Sequence, residues 1–363
     1  MNLQALHNEA VLLLKEMIAI PSTSFNEDAV CSHICGWMDE RGIDHERIGN
    51  NIIAEHICDP AAPTLMLCAH IDTVEACEGY SFNPYGPEVC TEGLVQGLGS
   101  NDDGASVVSM IAAYRANQNK NLVLVLTCEE ERSGKGGMTG LWGNRICARR
   151  EADKDCLSNG CTAVDFAIVG EPTGMKAAIA ERGLLVIDAV AEGVSGHAAR
   201  NEGVNALYIA LEDIQALRNH IFKKVSSRMG KVNLNVTQIN AGTAHNVIPD
   251  RCSFVIDIRP TEQYTNQEIL DELQAICKSK LTPRNLLNQS SATFEDSPLQ
   301  KVAEELGIET FSSPTTSDWM RIDCDAIKMG PGDSARSHKK DEYVTVDEII
   351  EGIKTYIEFI ERL

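Results

Sequence analysis

The chain has 363 residues, and at roughly 150 residues per domain this length predicts two domains. Hydrophobic residues make up 43% and charged residues 23%, an ordinary globular balance that excludes intrinsic disorder. Against 32 basic residues stand 53 acidic ones, a net charge of −21. No basic block offsets it, which argues against a nucleic-acid binder or a protein of anionic membranes.

The apolar spacing of Leu3, Leu6, Val11, Leu14, Met17 and Ile18 predicts a helix over 3–19 that stops at Pro21, and a second helix is expected over 29–41, closed by Gly42. Short apolar runs at 64–69, 122–128, 164–170 and 326–329 read as buried parallel strands, with helices at 106–116 and 299–306 between them. That alternation predicts an α/β domain with a mixed, mostly parallel sheet. From 180 to 288 the texture changes. Strands are expected at 184–191, 231–239 and 252–258 and helices at 204–220 and 266–278, an α+β sandwich inserted into the larger domain. The larger domain then comprises 1–179 and 289–363, ending in a helix over 346–363.

Thirteen cysteines cannot all pair, and reduced thiols in a cytoplasmic protein fit them best. Cys31/Cys35 and Cys156/Cys161 are too loosely spaced for a structural zinc knuckle. No segment approaches the 18 apolar residues a membrane span requires, and the first residues have no signal-type pattern.

Nucleotide, dinucleotide and serine-hydrolase motifs are missing. Chemistry gathers instead at strand ends. The 64–69 strand runs into His70-Ile71-Asp72, the 122–128 strand into Glu129-Glu130-Glu131, and the 164–170 strand into Glu171-Pro172. The 326–329 strand leads through Gly330-Pro331-Gly332 to His338. In an open α/β sheet the carboxyl ends of strands form the ligand crevice. Gly97 to Gly104 adds the adjacent carboxylates Asp102 and Asp103 in a glycine-rich loop before a helix. Histidine nitrogens and carboxylate oxygens are zinc ligands, and two Zn²⁺ balance three carboxylates and one hydroxide.

With these five motifs in order along essentially the whole chain, the sequence resembles the family of acetylornithine deacetylase, succinyl-diaminopimelate desuccinylase, aminoacylase and related zinc carboxypeptidases. The resemblance implies two Zn²⁺, replaceable by Co²⁺. His70, Asp102 and Glu171 would hold one ion and Asp102, Glu131 and His338 the other. Asp72 would hydrogen-bond the His70 imidazole, and Glu130 would be the general base, with the register inside Glu129–Glu131 open by one residue. The insert would be a lid and dimerisation domain through which a homodimer forms. In Gly193-Val194-Ser195-Gly196-His197-Ala198, His197 would reach substrate in the partner subunit, while Asn246 and Arg259 match substrate-contacting positions. The loop Asp102-Asp103-Gly104-Ala105 is closer to the carboxypeptidase branch than to the commoner Asp-Met-Lys-Gly. Thr316, Ser317 and Asp318 are expected to line a substrate pocket. The implied reaction is removal of an acetyl or succinyl group from an ornithine- or citrulline-type amino acid in arginine synthesis. Desuccinylation of diaminopimelate, or dipeptidase or carboxypeptidase action, is the alternative, and an inactive binding protein is a further one.

Overall fold

The computed structural model describes residues 2–86, 89–90, 93–151, 160–200 and 202–363; Cys156 lies outside them. The chain forms two compact units. The larger comprises the chain up to Ile179 together with Thr293–Phe311 and Ser317–Leu363, and the smaller Ala180–Ala292 with Ser312–Thr316. Residues 289–292 and Ser312–Thr316, left with the larger domain in the sequence reading, group with the smaller unit.

In the larger unit the strands lie in the order Glu46–Ile48, Asn51–His56, Asn121–Thr127, Thr64–His70, Phe166–Val169 and Asp325–Lys328. The last four are mutually parallel; Asn51–His56 joins them antiparallel, and Glu46–Ile48 pairs antiparallel with Asn51–His56 in turn. The sheet is therefore mixed, with a parallel centre. One antiparallel edge is a hairpin turned at Gly49 and Asn50, with Gly49 at φ +60°, a left-handed conformation that costs glycine little; beyond Asp325–Lys328 the sheet continues antiparallel into Ala177–Glu181.

Strand residues alternate between the two faces. Leu65, Leu67 and Ala69, with Leu122, Leu124 and Leu126, pack into a core with the helices Leu3–Ile18, Ala105–Ala116 and Val346–Arg362. Met66, Cys68, Val123 and Val125 face a second core containing Met138, Leu141 and Trp319. Because both faces are covered, the central strands read as continuous apolar runs. The helix ends are chemically specified: Asn2 caps the first helix, and Thr345 with Glu348 forms a capping box on the last. His70 lies opposite Thr127, and Cys68 opposite Val169. The residues that follow these strands therefore emerge along one edge.

The smaller unit is an antiparallel sheet in the order Asn233–Ala241, Arg251–Arg259, Leu185–Glu192 and Lys280–Pro283. Leu185, Ile187, Ala189, Cys252, Phe254 and Ile256 form its core with Leu217 of helix Ala206–Asn219 and with Ile269 and Leu273 of helix Asn266–Gln274. Strand Lys280–Pro283 was not expected. The second helix ends at Gln274, and the chain turns through Ala275–Ser279 to reach it.

Candidate active site

His70 ends its strand almost completely buried. Its Nδ1 lies 2.9 Å from the main-chain oxygen of Asp72 and 3.5 Å from the Asp72 carboxylate. A proton on Nδ1 donated there leaves Nε2 facing outward, 3.2 Å from Asp102 Oδ1. The expected pairing of Asp72 with the imidazole is thus made mainly by its backbone. Its carboxylate accepts the Glu130 N–H at 3.0 Å, the Glu131 N–H at 3.1 Å and the Ser24 hydroxyl at 2.7 Å.

The three glutamates do not point the same way. Glu129 sits at φ +60° and Ser133 at φ +47°, so the chain bends sharply on both sides of the short Glu130–Arg132 turn. The Glu129 carboxylate accepts the Gly136 N–H at 2.8 Å, lying under the glycine loop. A Cβ on Gly134 would come within 2.1 Å of Glu129 Oε2. Glu130 and Glu131 are left to face His70: ligand atoms of His70, Glu130 and Glu171 lie within 4.8 Å of one another, as do those of His70, Asp102 and Glu131. His338 Nε2 is 2.9 Å from Glu131 Oε1 and 3.7 Å from Asp102 Oδ2.

Electrostatically this is a crowd of acids. Burial drives the Glu130 and Glu171 pKa values well above the ordinary carboxylate range, reinforced for Glu171 by the neighbouring Asp102 and for Glu130 by Asp318. Burial opposes the His70 imidazolium, but the Asp102 and Asp72 carboxylates outweigh it and hold its pKa well above normal. The hydrogen bond to Glu131 raises that of His338. Packing carboxylates at this density is costly without cations. Each of the two groups puts one histidine nitrogen and two carboxylate oxygens within one ion's reach, and His338 approaches Glu131 and Asp102 of the second, a donor set that fits divalent ions such as zinc.

Ser24, Glu27 and Glu342 were not singled out from the sequence. Glu27 is fully buried, and its Oε1 accepts the Phe25 and Glu129 N–H groups. The Glu129 amide lies 102 residues from Glu27 in sequence, and no local motif reveals that partner. Ser317 and Asp318 are buried instead of lining an open pocket: Ser317 caps the Asp318–Arg321 turn, and Asp318 accepts the Thr127 hydroxyl at 2.6 Å. Thr316 belongs to the smaller unit. Cys68 is buried strand packing.

In the smaller unit, Gly196–His197 pairs with Val247–Ile248, and the Ala198 N–H donates to the Asn246 carbonyl at 3.0 Å. His197 and Asn246 are thereby neighbours. The Ala199 N–H donates to His197 Nδ1 at 3.1 Å, which puts the neutral ring's proton on Nε2. Arg259 is engaged by its strand neighbour: Nε and Nη2 donate to Asp257 at 2.9 and 3.2 Å.

Comparison with known proteins agrees with both units. A family model described as the peptidase dimerisation domain matches residues 179–285, and one for peptidase family M28 matches residues 51–170. The acetylornithine deacetylase of Edwardsiella ictaluri is 26% identical over 382 residues, covering 94% of this chain and 94% of that protein. The succinyl-diaminopimelate desuccinylase of Wolbachia pipientis wMel is 24% identical over 386 residues, 98% of this chain and 93% of that one. A dinuclear metal-binding peptidase of the M20 family from Bacillus subtilis superposes with a TM-score of 0.70 at 16% identity, covering 98% of each chain. Over nearly its whole length the chain is similar in sequence to acetylornithine deacetylases and succinyl-diaminopimelate desuccinylases, and it shares the fold of an M20-family peptidase.

Proposed function

We propose that this protein is a dinuclear zinc amidohydrolase that removes an acetyl or succinyl group from an amino acid of the ornithine or citrulline type, in the cytoplasm and in the service of arginine synthesis. The observation that carries this reading is the grouping of His70 with Glu130 and Glu171 and of His70 with Asp102 and Glu131, with His338 beside Glu131 and Glu129 turned away.

The chemistry that divalent ions supply at such a centre is Lewis-acid polarisation of a carbonyl and of a water. Glu130 takes the proton of the attacking water and hands it to the leaving amine. Asp72 and Ser24 hold the turn that aims Glu130. The enzyme works as a homodimer through the smaller unit, and the partner's His197 donates a hydrogen bond from its Nε2–H to the oxygen that gains charge. Arg259 leaves Nη1 for the α-carboxylate, and Asn246 lies beside the histidine as a further polar contact. A net charge of −21 draws in a cationic ornithine chain, an attraction that salt screens.

A dipeptidase or carboxypeptidase using the same residues is the second reading, favoured by the Asp102-Asp103-Gly104-Ala105 loop and the fold shared with the M20 peptidase. The test is catalytic efficiency on acetylornithine, acetylcitrulline, succinylornithine, succinyl-diaminopimelate and a simple dipeptide. The proposal expects one of the first three to win. A win for the dipeptide selects the peptidase reading, and a win for succinyl-diaminopimelate places the protein in lysine synthesis.

A further inference from the structure

We propose that Glu342 is a positioning residue of the metal centre, fixing the main chain that carries Asp102 and locking it to the segment that carries His338. The inference rests on the reading above, that Asp102 and His338 hold a divalent ion.

Glu342 is 2% exposed, a degree of burial that an unpaired carboxylate does not tolerate. Its partners are three backbone amides of one loop. Oε1 accepts the N–H of Asn101 at 2.9 Å and of Asp102 at 3.0 Å, and Oε2 accepts the N–H of Gly99 at 3.1 Å. Amides converging in this way make an anion nest, and hydrogen bonds to a charged acceptor are roughly twice as strong as neutral ones. The loop is shaped for the purpose. Gly99 sits at φ +76°, and a Cβ there would come within 2.6 Å of Thr73 Cγ2. The Gly97 N–H donates in turn to the Glu342 carbonyl at 3.0 Å.

A second tie runs the other way. The Asn101 side chain accepts the Asp333 N–H at 2.9 Å, donates to the Asp333 carbonyl at 3.1 Å and reaches the Ser337 hydroxyl at 3.4 Å. Segment 333–342 is therefore clamped to the Asp102 loop on both sides of His338. That matters because His338 itself is 55% exposed at the side chain and sits at φ +57°. Its distance from Asp102 is set by the two anchors, and Glu342 is the one that gathers three amides of the loop. An amide at this position would turn one acceptor into a donor facing an N–H. Groups that orient metal ligands in this manner typically govern affinity by 10–100-fold.

The test is titration of the metal-free full-length chain with Co²⁺, followed by visible absorption, and with Zn²⁺ by calorimetry, for the unaltered protein and for Glu342→Gln. The expected result is two ions per chain in the unaltered protein. In the variant the ion held by Asp102, Glu131 and His338, which depends on both anchored segments, should bind about 10-fold or more weakly, and the ion that shares only Asp102 should weaken clearly less. A general loosening of the fold would weaken both ions together, so the split distinguishes positioning from a merely structural role. Both ions bound with unaltered affinity by folded Glu342→Gln, or both weakened equally, overturns the proposal. Should Glu342→Gln fail to fold by circular dichroism, Glu342→Asp takes its place in the same titration, with the same split expected. A Glu342→Asp chain that also fails to fold makes Glu342 a folding residue and overturns the inference. An unaltered protein that takes up no metal overturns the functional reading itself, an outcome separate from all the others.

Discussion

Asp72 and Glu130 are joined by a hydrogen bond from the Glu130 N–H to Asp72 Oδ1 at 3.0 Å, although 58 residues separate them. The bond ties the end of one parallel strand to the turn after its neighbour. The same Asp72 supplies the carbonyl that fixes the His70 ring, so a proposed ligand and the proposed base are oriented by one residue.

Glu130→Gln should cut kcat by at least ~10²-fold, the usual scale for a general base, while both metals stay bound. Glu129→Gln should leave far more activity, because the Glu129 carboxylate serves the Gly136 amide. Steady-state kinetics with metal analysis of both variants checks this. The reverse order of effects would move the base to Glu129.

Gly137 has no room for a side chain, since a Cβ would lie 2.0 Å from the Cys128 carbonyl oxygen. That contact is with backbone, so Gly137→Ala must shift the chain just before the glutamate turn. A loss of about 1–3 kcal/mol is expected, the scale of overpacking, together with lower kcat. Denaturant midpoints measure it, and an unaltered midpoint would show that the loop gives way freely.

Metal uptake should release protons. In the metal-free protein burial raises Glu130 and Glu171, and carboxylate neighbours raise His70 and His338. These groups therefore hold protons toward neutral pH that a divalent ion must displace. Affinity consequently rises with pH. Calorimetry in buffers of different ionisation enthalpy should give buffer-dependent binding heats, whereas identical heats in all buffers would contradict the assignment.

Mixing His197→Ala with His70→Ala chains should restore activity that neither has alone, if the partner's His197 completes each site. Hybrid dimers then contain one site with both residues intact. A fully active monomer in sedimentation and kinetics would end this part of the account.

Much of this architecture was legible because buried parallel strands announce themselves. Thr64–His70 and Asn121–Thr127 are buried at every residue, so their apolar runs stood out and the polar residues after them stood out more. The hairpin Glu46–Ile48/Asn51–His56 was missed because its first strand is three residues long and mostly exposed. Lys280–Pro283 was missed because, with exposed Lys280 and Thr282 and a closing proline, it reads as loop. The glutamate triplet could not be placed in register from sequence, since what separates Glu129 from Glu130 is a left-handed φ and the glycine loop that receives its carboxylate. Glu342 and Ser24 act on partners more than forty residues away in sequence, and no local spacing reveals them.

The most direct test of the central claim is amine release from acetylornithine and the related acyl amino acids by protein first stripped with a chelator and then reloaded with zinc or cobalt. The account predicts negligible turnover in the stripped protein and activity that climbs with added metal to a maximum at two ions per chain. Full turnover by protein verified to be metal-free, or none from any acyl amino acid or dipeptide with two ions bound, would contradict it.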